Sequence, residues 1–159
     1  MNRYQSQFKI FNKTEKAEIE EKLHEQFGIK KINGTILQSG ADRLFLYQGQ
    51  LTEKQIQELE QAVPIERVGI YFAKIQNENE TRLSIDGVQL FQHQITKNIF
   101  EVNQEQANQW MHGNELNIKT NLTGFIVIKF KNNFLGCGKA SEEKITNFIP
   151  KNRRLKEKN

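Results

Sequence analysis

The sequence predicts an α+β protein, a small mixed α/β unit followed by a β-rich unit of small-barrel type. Three observations carry this. Two early segments show capped apolar stripes of helical period. Short apolar runs bounded by Gly, Asn or Pro recur along the whole chain. Residues 124–154, GFIVIKFKNNFLGCGKASEEKITNFIPKNRR, bring two apolar strands, the second glycine-bearing, to a basic end punctuated by Pro150. A chain of 159 residues has room for one domain or two small ones. The boundaries read as 1–95 for the α+β unit, 96–155 for the β-rich unit and 156–159 for a basic tail.

After a strand-like entry at Phe8 and Ile10, Thr14 is expected to cap a helix ending at Phe27. Ile19, Leu23 and Phe27 form its stripe, and Gly28 sits where a terminating glycine belongs. Strands over 34–37 and 44–47 follow, joined by a turn at Gly40. Thr52 with Gln55 three residues on is a capping-box pattern. That second helix should bury Ile56, Leu59 and Val63 and stop at Pro64. Strands over 67–75 and 81–85 and a short helix over 86–91 complete the unit.

The second unit opens with a strand over 99–102. Asn103 caps a short helix to Met111 with Ala107, Trp110 and Met111 inward, and His112–Gly113 stops it. A short strand over 116–118 follows. In the next strand Ile126, Ile128 and Phe130 point one way, while Phe125, Val127, Lys129 and Lys131 point the other. A turn at Asn132 and Asn133 leads to a strand with Gly136 and Gly138 on one face, a sign that something comes close there. The last strand is expected over 144–148. Many short strands with one short helix suggest a partly closed barrel.

Charge is placed unevenly. From Lys139 onward seven cations face three glutamates, which accounts for the whole net excess of +4. Such an excess at one end suits a polyanion. Pro150 should hold Lys151, Arg153 and Arg154 in an extended segment beside Lys139 and Lys144. Arginine forks and lysine point charges both suit phosphate oxygens. No pattern for catalysis, cofactor or metal stands out. His24, His93 and His112 are scattered, and Cys137 shares a strand face with Leu135, as a buried structural thiol would. No apolar run approaches the roughly 20 residues of a membrane span, and no secretory h-region opens the chain, so a cytoplasmic protein is expected.

WMHGNEL, GFIVIKFKNNFLGCGKA and KITNFIPKNRR resemble a family. They are similar to the RNA-binding PUA-like domain that ends the rRNA small subunit methyltransferase F group of 5-methylcytosine RNA methyltransferases. Trp110, Gly113 and Glu115 stand for its helix-end turn, and Leu135, Gly136, Gly138 and Lys139 for its glycine strand. Asn147, Pro150, Lys151 and Arg154 stand for its basic close; Thr146 replaces a family lysine. The order of elements also resembles ribosome biogenesis factors in which a pre-PUA domain precedes the PUA domain.

The resemblance implies RNA binding without the enzyme, because no glycine-rich strand–loop–helix for S-adenosylmethionine is present. The expected function is non-catalytic binding of structured rRNA or tRNA, in ribosome biogenesis or in support of an RNA cytosine-5 methyltransferase. No cofactor is expected. The further partners would be a separately encoded methyltransferase or a ribosomal particle. Phosphate contacts fall to Lys129, Lys131, Lys139, Lys144, Lys151, Arg153 and Arg154, with His112 and Gly113 near the RNA. About five engaged cations would give log K against log salt a slope of about −3.5 to −4.5. The alternative is a protein-interaction subunit that docks its basic end on an acidic partner.

Overall fold

The computed structural model describes residues 7–158. The first strand, β1 (Phe8–Ile10), leads into helix α1 (Lys13–Phe27). The N-cap is Asn12, not Thr14: its side chain accepts from the Glu15 amide, and Glu15 accepts from the Asn12 amide in return. Asn12 has a glutamate three residues on and Thr14 does not, so only Asn12 can close a capping box. Ile19, Leu23 and Phe27 are buried, and Gly28 terminates the helix in the left-handed region.

Next come β2 (Thr35–Ser39), β3 (Arg43–Tyr47), helix α2 (Glu53–Ala62), β4 (Ile70–Ile75), β5 (Thr81–Leu83) and helix α3 (Ile85–Leu90). The five strands form one antiparallel sheet in the order β1-β2-β3-β4-β5. Strand alternation sends Ile36, Leu44 and Leu46 to the α1 side, and Leu37 and Phe45 to a smaller cluster under α2. Because that cluster is small, Ile56 is the one α2 side chain buried in it, and Glu60 adds a polar tie by accepting from the Phe8 amide at 3.3 Å. Leu59 and Val63, expected inside, are 41% and 50% exposed.

The second sheet holds β6 (Ile99–Glu101), β7 (Gly124–Phe130), β8 (Asn133–Ala140) and β9 (Ile145–Asn147), in that order. The β6–β7 pair is parallel and the others are antiparallel. Leu116, expected in a strand, makes one bridge to Ile145. Helix α4 (Gln104–Met111) starts at the capping box of Asn103 and Gln106. The turn between β7 and β8 falls at Lys131 and Asn132, one residue earlier than expected, and Lys131 has φ 53°. Helices and separate sheets make the fold α+β.

Both faces of β7 are buried. Phe125 and Val127, with Cys137 of β8, join the core built on Leu23, Phe27 and Phe72 of the first sheet's layer. Ile126 and Ile128 join a second core with Trp110, Leu116, Ile145 and Ile149. One hydrophobic core is therefore shared by the two sheets. No helix among the described residues is long and apolar enough to cross a membrane.

Candidate nucleic-acid interface

The glycine strand is shaped by an indole. Trp110 is fully buried, and its Nε1–H donates to the Leu135 carbonyl at 3.2 Å. A Cβ at Gly138 would lie 2.7 Å from the Trp110 ring and 2.7 Å from Ile145. What comes close to the glycine face is thus the side chain that anchors α4.

That anchor fixes the end of α4, and the chain's basic end is fastened to it. Asn147 Nδ2 donates to the carbonyls of Trp110 at 2.8 Å and Asn114 at 3.0 Å. The Leu155 amide donates to the Met111 carbonyl at 2.9 Å. Between these ties, Pro150 opens a 3-10 turn over Lys151–Arg153. The extended segment expected there is replaced by this turn: Pro150 caps it, and its carbonyl accepts from the Arg153 amide at 2.9 Å.

Arg154 Nε donates to the Ile149 carbonyl at 3.0 Å, and its side chain lies on Gly113. A Cβ at Gly113 would stand 2.3 Å from that Nε, and φ there is +92°. Glycine is required twice over, for the backbone and for the arginine. The carbonyl end of α4 carries partial negative charge, which favours a cation at this place. His112, whose Nδ1 lies 2.8 Å from the Asn108 carbonyl, stands at the same helix end.

Five of the expected site residues therefore come together: His112, Gly113, Lys151, Arg153 and Arg154. Lys144 stands near them, paired with Glu115 at 2.7 Å. The other three are elsewhere. Lys129 faces Glu101 at 3.9 Å and Lys131 lies in the β7–β8 turn, both at the end of the sheet where α4 begins. Lys139 lies over Phe125 and 3.8 Å from Glu80, on the face turned to the first sheet. Arg154 lies on the α4 face, so a single basic face does not hold all the predicted cations.

The positive field is also trimmed by partners from distant parts of the chain. Arg153 Nη1 meets both carboxylate oxygens of Asp86, at 3.1 and 3.2 Å. These side chains are 45% and 47% exposed, so water and salt screen the pair and a phosphate can compete for the guanidinium.

Beside Arg153 opens a cleft of about 730 Å³ between the two sheets. Arg67, Arg82, Tyr71 and Phe148 line it, and none of them was among the expected site residues. Arg82 sits 4.5 Å from the centre of the Phe148 ring. Period-2 alternation places Arg82 opposite in direction to buried Thr81 and Leu83, but the sheet it faces is encoded some sixty residues later.

Cys137 also borders this cleft, yet burial pushes its thiol up to about 12. A thiolate nucleophile is thus withheld at neutral pH. Iodoacetamide at pH 8 should leave the folded protein unmodified and label it fully in urea. Unfolding frees the thiol to titrate near its ordinary value of about 8.5. The unfolded chain then holds fewer protons, and stability should fall as pH rises from about 9 towards 12. A Cys137→Ala variant should lose this component of the alkaline decline in urea titrations.

Among the described residues no group of three His, Cys, Asp or Glu side chains could hold a metal ion. Comparison with curated proteins gives no match. Residues 97–155 match the family model described as the methyltransferase RsmF PUA domain. The matched segment begins just before β6 and ends one residue after Arg154, so it includes α4, the glycine strand and the basic close. Residues 97–155 thus form a PUA-like domain, similar to that of the RsmF methyltransferase group.

Proposed function

We propose that the protein is a non-catalytic RNA-binding protein that recognises structured rRNA or tRNA in the cytoplasm. It would act in ribosome biogenesis or beside a separately encoded RNA cytosine-5 methyltransferase. PUA domains bind RNA, and this supports RNA as the partner. The observation that carries the reading is the position of the cations within that domain. Lys151, Arg153 and Arg154 sit on a short turn tied to the end of α4 by Asn147, Leu155 and the Arg154–Gly113 contact. Positioning cations before binding lowers the ordering cost of phosphate contact.

Affinity for a structured tRNA or rRNA hairpin, measured over a range of salt, tests this. With these three cations as the main phosphate contacts, log K should fall against log salt with a slope of about −2 to −3. That is shallower than a face using five would give. Binding that is absent at low salt, or flat with salt, would overturn the reading. Co-purification of an acidic protein that survives nuclease treatment, without RNA affinity, would favour a protein-docking role instead.

A further inference from the structure

The cleft between the sheets shares Arg153 with the tail turn and adds arginines and apolar surface that the turn does not use. One wall comes from β4, β5 and α3; the other comes from β8 and the segment after β9. Its volume, about 730 Å³, falls in the range of sites that enclose a small ligand. Three arginines line it, Arg67, Arg82 and Arg153, against one carboxylate, Asp86, which Arg153 already engages. Its apolar lining is left partly open: Ile70 is 45% exposed, and Tyr71 and Phe148 are half-buried.

An excess of guanidinium beside flat apolar surface suits a ligand with a planar body and a negative edge. Arg82, over the Phe148 ring, provides a guanidinium plane on which a base can stack. Arg67 and Arg153 provide forks for a phosphate. Bases in a duplex are not presented this way, so the ligand is an unpaired nucleotide. Arg153 belongs both to the tail turn and to the cleft, so a strand held on Lys151 and Arg154 passes the cleft's mouth.

We infer that the cleft between the two sheets takes one unpaired nucleotide of the bound RNA. Its base lies against Tyr71, Ile70 and the Arg82–Phe148 pair, and its phosphate meets Arg67 and Arg153. The inference rests on the RNA-binding reading and adds to it a preference for RNA that is not fully paired.

Two hairpin RNAs with the same stem, one carrying a single bulged uridine, provide the test. The wild-type protein should bind the bulged hairpin about tenfold more tightly, as expected for stacking one base. Arg67→Ala and Arg82→Ala should each reduce that preference while the plain hairpin keeps its affinity and salt slope. Lys151→Glu should weaken both hairpins equally. A 4-thiouridine at the bulge should crosslink to peptides containing Tyr71 or Phe148. Arg67 is exposed, so its variant keeps the test open even where Arg82→Ala does not fold.

Equal affinity for the two hairpins would overturn the inference while leaving the RNA-binding reading in place. Failure to bind either hairpin would overturn both. Uridine monophosphate competing at micromolar concentration would make the cleft a site for free nucleotides and overturn the inference as well.

Discussion

Trp110→Ala should lower the stability of the protein by about 3–5 kcal/mol in urea titrations, the range found when a buried aromatic is removed. The side chain is fully buried among Ile145, Ile149 and the glycine face of β8. A cavity at this place has little means of closing. Gly136 and Gly138 offer no side chain to lean inward, and the β8 backbone is held in register by β7 and β9. The Leu135 carbonyl would also lose its indole donor.

The effect should reach the RNA. The end of α4 gives Asn147 and Leu155 the carbonyls that hold the basic turn, so loosening α4 loosens the platform under Lys151, Arg153 and Arg154. RNA affinity should therefore fall at protein concentrations and temperatures where most of the variant is still folded. A loss of stability below about 1 kcal/mol would mean that the glycine face does not depend on the indole, and would remove this physical account of the two glycines.

The helices and their partners differ in how openly the sequence states them. In α1 the stripe and the terminating glycine lie within one turn-by-turn pattern, so Ile19, Leu23, Phe27 and Gly28 could be read directly. Its true cap could have been read too, since Asn12 and Glu15 have the capping-box spacing. For α2 the pattern of Ile56, Leu59 and Val63 states an apolar face without stating how large a surface waits to receive it. The cluster under it ends at Phe8, Leu37 and Phe45, and two of the three residues stay half in water.

The candidate site divides along the same line. Trp110 at the inner face of α4 and the basic close after Pro150 are local features of the chain. The charges that answer those cations are not. Asp86 lies 67 residues before Arg153, and Glu115 lies 29 before Lys144. Both come from the part of the chain whose charges sum to zero, where their individual destinations cannot be told apart. The Arg82–Phe148 pair has the same origin, since its members meet only when the two sheets share a core.

The combined variant Lys151→Glu, Arg153→Glu, Arg154→Glu should bind structured RNA about 100- to 1000-fold more weakly near 0.1 M salt. A slope of −2 to −3 corresponds to two or three decades of affinity per decade of salt, and that electrostatic part is what the variant removes. Its remaining slope should be close to flat. Some loss of stability is expected with it. A carboxylate at position 153 would face Asp86, and one at 154 would stand at the carbonyl end of α4. Glutamine at the same three positions separates the two effects, since it removes the cations without adding like charge, and it should keep most of the RNA-binding loss. Lys156→Glu with Lys158→Glu provides the comparison for net charge alone. Both lysines are exposed beyond the tied segment, so reversing them should cost far less affinity than changing the turn. If the tail pair weakens binding as much as the turn variants do, the RNA responds to overall charge rather than to cations positioned on α4. If the turn variants bind undiminished, the site lies elsewhere on the protein.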